Sequence, residues 1–94
     1  MKITWDERKR TLNREKHGLD FHDMLDFDWD NCRFEETSPS AHGHARVLVI
    51  GPMRDITVAA IVAFLGSEAV AIISMLPANA KERLRYAWSR STQH

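Results

Sequence analysis

A stretch near the N-terminus, KRTLNREKHG from Lys9 to Gly18, combines basic side chains with an amide and an imidazole. At about 100° per residue in a helix, Lys9, Asn13, Lys16 and His17 fall on one face. Two ammonium groups, a carboxamide and an imidazole on one face can hold a phosphate and exchange a proton. The same pattern is typical of a solvated helix whose C-terminal cations are stabilised by the helix dipole. The spacing alone therefore leaves both interpretations open.

Three residues further along the chain have side chains suited to phosphate binding or proton transfer. Arg46 opens an otherwise apolar segment, where it could clamp a phosphate at the rim of a sheet or simply reach solvent. Arg83 and Tyr86 fall on one side of a predicted C-terminal helix, as a phosphate ligand and a proton donor. The alternatives are a surface arginine and a half-buried tyrosine. Glu7 is a weaker candidate for a general base.

His42 and His44 form a His-Gly-His sequence within the polar segment TSPSAHGHA. Closely spaced histidines occur in metal sites, but two ligands do not complete a site, and Cys32 or His22 would have to join them. A polar loop is the simpler interpretation, and a metal-binding protein is our third hypothesis. No phosphate-binding glycine loop or Ser-His-Asp pattern is visible. We expect neither a metal nor another cofactor.

Length and charge bound the possible classes of protein. The 94 residues suit a single domain over residues 1–94, and the 13 basic and 13 acidic side chains cancel. Net charge therefore gives no argument for a nucleic-acid partner, although bases crowd residues 9–16 and 81–90 and acids crowd 20–30. The N-terminus lacks the apolar run of a signal peptide, and the longest apolar run, ITVAAIVAFL, is too short to span a bilayer. We expect a cytoplasmic protein with no membrane association.

The N-terminal third predicts one strand and two helices. MKITW is typical of a strand, and Asp6 can cap a helix that ends near His17, with Gly18 as the C′ residue. Asp20 can cap a second short helix, in which the apolar side chains Phe21, Met24 and Leu25 form a stripe.

The remaining chain predicts four strands and a last helix. An alternating segment begins near Asp30, and three runs rich in Val and Ile follow: RVLVIG, ITVAAIVAFL and AVAIIS. GPMRD is predicted as the first connection and Gly66-Ser67 as a two-residue hairpin turn. Beyond Pro77, Asn79 and Glu82 can form a capping box. The last helix is predicted to pack through an apolar face made of Ala80, Leu84 and Ala87 or Trp88. All three tryptophans, Trp5, Trp29 and Trp88, are predicted at the core or its edge.

The element order β-α-α-β-β-β-β-α predicts an α+β fold. Consecutive strands with short turns favour an antiparallel meander with its helices on one side.

Three ordered segments of the sequence resemble the BrnT family of toxins. The first is WDERKRTLNREKHGLDF, which carries Trp5-Asp6, Lys9, Asn13, Lys16-His17-Gly18 and Phe21 at the spacing of that family. The second places Arg46 five residues before Gly51. The third, IISMLPANAKERLRY, contains Ile72-Ile73-Ser74, Ala78 or Ala80, Glu82-Arg83 and Tyr86. The resemblance covers nearly the whole chain.

This resemblance implies a RelE-like fold, with an antiparallel sheet of about four to five strands, two N-terminal helices and one C-terminal helix. It implies a ribonuclease toxin of a type II toxin–antitoxin system that cleaves RNA without a metal and inhibits translation and growth. The implied partners are RNA and a small antitoxin with a ribbon-helix-helix DNA-binding part, and a homodimer is one option for assembly. The implied catalytic residues are Lys9, His17, Arg46, Arg83 and Tyr86, and the implied RNA-binding residues are Asn13, Lys16 and Arg54.

The sequence departs from the family pattern at three positions. The family usually carries arginine just before and just after the Ile-Ile-Ser segment, and often in the preceding hairpin. Here Ala71, Leu76 and Gly66 occupy those positions. Since each lost donor to a developing negative charge typically costs ~10²–10³ in rate, a second hypothesis follows. The chain would then be a catalytically degenerate module that binds an antitoxin and modulates transcription of its operon.

Overall fold

The computed structural model describes residues 1–37 and 45–91. Within these residues the fold has five strands, two α-helices and two 3₁₀ segments, Phe21–Asp26 and Trp29–Asn31. The strands are β1 (Lys2–Trp5), β2 (Arg33–Glu36), β3 (Arg46–Met53), β4 (Ile56–Leu65) and β5 (Ala69–Pro77), and the helices are α1 (Glu7–His17) and α2 (Ala80–Ser91). His42 and His44 lie outside the described residues.

The strands form one mixed sheet in the order β1-β5-β4-β3-β2. β2 to β5 form the predicted antiparallel meander, but β1 pairs in parallel with β5, so the prediction of a wholly antiparallel sheet is wrong. A parallel pair needs a long crossover between its strands. Here α1, the two 3₁₀ segments and β2 to β4 lie between β1 and β5 in the chain and supply that crossover.

The first helix has the predicted ends. The Asp6 carboxylate accepts hydrogen bonds from the backbone N–H groups of Arg8 and Lys9, and Gly18, at φ 71°, donates its N–H to the Arg14 carbonyl. The second predicted helix is instead the 3₁₀ segment Phe21–Asp26, capped by Asp20.

The connections of the meander differ from their predicted lengths. Gly51, Pro52 and Met53 belong to β3, so Arg54 and Asp55 alone form the first turn. A Cβ atom at Gly51 would lie 2.8 Å from Cys32 Cβ, which explains a glycine inside a strand. The second hairpin has a three-residue loop rather than two, because Leu65 pairs with Ala69. Gly66 has the expected positive φ of 65°.

Both faces of the sheet are covered, rather than one. The larger core packs the 3₁₀ segment and Phe27 against one face. Its buried side chains are Phe21, Met24, Phe27, Val49, Met53, Val58, Ala60, Val62, Val70, Ile72 and Met75. On the other face, α2 packs Tyr86 against a smaller cluster of Ile50, Ala59 and Ala78.

The last helix begins as predicted but buries a different side. Asn79 and Glu82 exchange reciprocal hydrogen bonds of 2.9 and 2.8 Å, which form the expected capping box. Leu84 is 70% exposed and Trp88 66% exposed, so the predicted burial of these two side chains is wrong. Trp5 and Trp29 do pack against the larger core. Among the described residues, no helix is long and apolar enough to cross a membrane.

Candidate functional site

α1 and β5 enclose a shallow depression of about 240 Å³. Five of the seven residues that line the depression belong to α1. The lining residues are Lys9, Leu12, Asn13, Lys16, His17, Ile73 and Ser74. The structure thus brings together the four side chains grouped by helical spacing. Lys9, Lys16 and His17 are exposed, whereas Asn13 is buried.

Asn13 fixes α1 against the edge of β5. Pairing between β1 and β5 ends at Trp5 and Ile72, so the backbone at Met75 has no strand partner on that side. The Asn13 side-chain N–H group donates to the carbonyls of Met75 (2.9 Å) and Leu19 (3.1 Å), and its oxygen accepts the Met75 N–H (3.1 Å). These bonds use the amide that the sequence assigned to RNA, so the structure gives Asn13 a positioning role.

Polar contacts hold the rest of α1, in which Asn13 is the only buried residue. Arg10 donates two hydrogen bonds to Asp20, of 2.7 and 3.1 Å, and stacks over the ring of Trp5. The hydrogen-bonded Arg10 guanidinium lowers the pKa of the Asp20 carboxyl to about 2. Arg10 and Asp20 thereby link α1 to the start of the 3₁₀ segment.

Arg46 lies on the same face of the sheet as Ser74. Directly opposed residues in antiparallel strands share a face, and Ser74 opposes Ile61, which opposes Leu48. Leu48 follows Arg46 by two residues and therefore shares its face. Strand spacing and rise place the Cα atoms of Arg46 and Ser74 about 12 Å apart. Arg46 and Ser74, which lines the depression, are therefore on one side of the sheet.

Two positions that carry arginine in the family pattern also lie on this face. Ala71 pairs with Ala63, which pairs with Arg46, so all three belong to one row across the sheet. Leu76 opposes Ala59 and follows Ser74 by two residues. Two of the three departures from the pattern therefore lie on the face that carries Arg46.

Lys9, Lys16 and Arg46 are exposed cations. Within residues 1–37 and 45–91, none of these three side chains takes part in an ion pair. An anion can approach them without displacing a carboxylate. Glu7, the weaker base candidate, instead accepts hydrogen bonds from Trp5 and Arg10.

Arg54 lies apart from this group. Arg46 is the first residue of β3, and Arg54 lies in the turn that follows the strand. The rise per residue along β3 therefore separates the two residues by about 25 Å. Its guanidinium contacts Asp26 at 2.6 Å and Asp23 at 3.2 Å, and these hydrogen bonds raise the pKa of Arg54. The structure does not bring Arg54 to the site with Arg46.

Arg83 and Tyr86 anchor α2, which packs Tyr86 on the sheet face that also carries Arg46 and Ser74. Arg83 donates to the Ala78 carbonyl at 2.6 Å, and Tyr86 donates its hydroxyl to the Asn31 carbonyl at 2.8 Å. Burial raises the pKa of Tyr86. Tyr86 packs against Ile50, which is about 13 Å along β3 from Arg46.

The described residues contain no group of three or more His, Cys, Asp or Glu side chains that could hold a metal ion. Burial raises the pKa of the Cys32 thiol to about 11. The Cys32 thiol is therefore neutral near pH 7.

Sequence reasoning missed Ile73 and Ser74 as site residues. Ile73 sits at an irregularity in the pairing of β4 with β5, since Val62 pairs with Ile72 and Ile61 with Ser74. The only signal for them was the Ile-Ile-Ser segment of the family pattern.

Exposed basic side chains on a sheet face and on the neighbouring helix give this small α+β protein a cationic surface. A family model described as the ribonuclease toxin BrnT of type II toxin–antitoxin systems matches residues 5–82. The chain is also similar to the 1.1 Å crystal structure of the Brucella abortus ribonuclease toxin BrnT, at 39% identity and a TM-score of 0.69. That match covers 84% of this chain and 97% of the Brucella chain.

A comparison with curated proteins found no match. The chain belongs to the BrnT family of ribonuclease toxins, which implies an antitoxin partner.

Proposed function

We propose that this chain cleaves RNA without a metal ion, through a surface that we call the cationic face: Lys9, Lys16, His17 and Arg46. One observation carries the proposal. Three of these side chains line a single depression beside Ser74, and Arg46 extends from the same sheet face as Ser74. Membership of a ribonuclease-toxin family supports RNA as the substrate.

Metal-free cleavage makes specific demands on the cationic face. A ribose 2′-oxygen attacks the adjacent phosphorus, the 5′-oxygen leaves, and negative charge builds up on the phosphate oxygens. Lys9 and Arg46 would stabilise that charge, and Lys16 would hold a neighbouring phosphate. His17 would exchange a proton with the attacking or the leaving oxygen, since imidazole is suited to both roles near neutral pH.

Arg83 and Tyr86 are not needed in this proposal. Their hydrogen bonds to the Ala78 and Asn31 carbonyls give them a sufficient role in holding α2.

In the cell, we propose that cleavage occurs in the cytoplasm and stops translation and growth. A small antitoxin with a ribbon-helix-helix DNA-binding part would neutralise the toxin and repress their shared operon.

The direct test is cleavage of single-stranded RNA by the purified protein in excess chelator. We expect cleavage to persist, and we expect Lys9→Ala and Arg46→Ala to reduce it. Arg54→Ala is the matched control, because it removes an exposed guanidinium about 25 Å from Arg46. Cleavage that disappears in chelator and returns with a divalent cation would refute the metal-free mechanism.

A second candidate function is the catalytically degenerate module. It is favoured by Ala71 and Leu76, which occupy arginine positions of the family pattern on the face of Arg46. Expression of the chain alone separates the two candidates. An active toxin arrests growth and degrades RNA. A well-folded chain that does neither, yet binds its antitoxin tightly, is the module.

A further inference from the structure

The outer side of α2 carries an exposed apolar surface that the cationic face does not use. We call it the α2 stripe: Leu84, Ala87, Trp88 and Ser91, which line one groove with Arg33 and Arg85. Leu84 and Trp88 lie one helical turn apart and are 70% and 66% exposed. Large apolar side chains exposed together in this way mark interaction surfaces.

The charges beside the α2 stripe are mainly positive. Arg33 and Arg85 both pair with Glu35, at 2.6 and 2.8 Å, so two guanidinium groups share one carboxylate. Lys81 adds a third cation, because it lies three and four residues before Leu84 and Arg85 on the same side of α2. The acidic residue of α2, Glu82, is engaged in the capping box.

The charges beside the α2 stripe favour one of three possible binding partners. A second copy would bring Arg33, Arg85 and Lys81 against their own equivalents, which is unfavourable in a twofold interface. RNA would use the cations and could stack on Trp88, but it would leave Leu84 and Ala87 without an apolar partner. An acidic amphipathic helix satisfies both the apolar stripe and its basic margins.

We propose that the antitoxin covers the α2 stripe with an acidic amphipathic helix, which packs apolar side chains on Leu84 and Trp88 and carboxylates against Arg85 and Lys81. This inference rests on the proposed antitoxin partner and not on RNA cleavage. The stripe begins beyond residue 82, where the family-model match ends.

The test measures binding of the purified full-length protein to the antitoxin encoded by the adjacent gene, by calorimetry and without RNA. Leu84→Ala and Trp88→Ala are expected to raise the Kd at least about tenfold each, as buried interface anchors do. Arg85→Ala is expected to raise the Kd and to weaken its dependence on salt. Leu25→Ala is the matched control, because Leu25 is 56% exposed on a different element. We expect its Kd to equal that of the wild type.

Three outcomes would overturn the proposal. The first is an unchanged Kd for Leu84→Ala and Trp88→Ala, with circular dichroism confirming that both variants are folded. The second is a wild-type dimer that these variants dissociate without a change in antitoxin affinity, which would assign the stripe to a second copy. The third is a Trp88→Ala variant that loses RNA affinity but keeps antitoxin affinity. RNA cleavage by the variants, measured separately, reports on the proposed function alone.

Discussion

The side chain of Asn13 in α1 and the backbone of Met75 in β5 form a reciprocal pair of hydrogen bonds, of 2.9 and 3.1 Å. The amide acts there as a short substitute for a neighbouring strand, because β1 stops pairing with β5 at Ile72. The same contact sets the position of Lys9 and His17, which lie four residues before and after Asn13. The buried amide therefore helps to place the part of the cationic face that α1 carries.

Asn13→Ala is expected to destabilise the protein by about 2–6 kcal/mol. The change leaves the buried N–H and C=O groups of Met75 without partners, and each costs about 1–3 kcal/mol. Urea unfolding followed by circular dichroism measures the loss. Thr11→Ala is the control, since Thr11 is exposed on the same helix. Equal stability of the two variants would show that Asn13 does not anchor α1.

Lys9→Ala and Arg46→Ala are expected to lower the rate of RNA cleavage by ~10²-fold each, if each cation stabilises the developing charge like a preorganised donor. Each should also reduce the slope of log K against log salt for single-stranded RNA by about 0.7, which is one phosphate contact. Arg54→Ala should leave both quantities unchanged. If all three variants lose activity equally, the effect is one of general charge, and the assignment of Lys9 and Arg46 to a specific site is wrong.

The sequence predicted the ends of the helices better than the pairing of strands that are distant in the chain. The caps at Asp6 and Gly18 and the capping box of α2 depend on neighbouring residues and appear as predicted. The parallel pairing of β1 with β5 joins residues almost seventy positions apart, and no local pattern encodes it. The prediction that Leu84 and Trp88 are buried was wrong. The side of α2 that faces the sheet is the one with Tyr86, whose hydroxyl donates a hydrogen bond to the Asn31 carbonyl.

The candidate site could be predicted in part. Helical spacing grouped Lys9, Lys16 and His17, since one helix face is a local property. Side-chain hydrogen bonding was not visible in the sequence, so Asn13 was taken for a ligand. The family resemblance grouped Arg54 with the RNA-binding residues, and only the length of β3 shows how far Arg54 lies from Arg46.

Gly51→Ala is expected to destabilise the protein by about 1–3 kcal/mol, the usual cost of overpacking. The new Cβ would lie 2.8 Å from Cys32 Cβ and 3.0 Å from the Phe27 ring, and Cys32 Cα lies at 3.2 Å. Thermal unfolding measures the change. Gly18→Asn is the control, since nothing lies within 4 Å and asparagine tolerates the left-handed conformation. A Gly51→Ala variant as stable as the wild type would contradict the close packing of β3 on Cys32.

Arg10→Ala is expected to raise the pKa of Asp20 from about 2 towards its ordinary value of 3.8. Because the folded-state pKa is lowered, the ion pair stabilises the protein above about pH 4, and this contribution is lost as the pH falls towards 2. The variant should therefore lose stability less steeply over that range. NMR titration of the Asp20 carboxyl measures the pKa. Arg14→Ala should shift it less, since Arg14 lies 3.9 Å from Asp20. An unchanged pKa in Arg10→Ala would contradict the ion pair.

Ala71→Arg is expected to increase RNA affinity and cleavage. Ala71 lies in the row of Arg46 and Ala63, two strands from Arg46, and corresponds to an arginine of the family pattern. A new guanidinium there would add a cation to the face on which phosphate charge develops. If it acts as a donor to that charge, the rate should rise by up to ~10²-fold. Single-turnover cleavage of a short RNA measures the effect.

Ile56→Arg separates a local effect of Ala71→Arg from a general one. It adds the same charge at a 41% exposed position at the other end of β4. Thermal unfolding of both variants is needed, because Ala71 is half-buried and an arginine there must fit beside Ala63. A folded Ala71→Arg variant that cleaves RNA faster, while Ile56→Arg does not, identifies the row of Arg46 as part of the site. If both variants are folded and neither changes RNA affinity or rate, RNA does not bind on this face, and the proposed function loses its geometric basis.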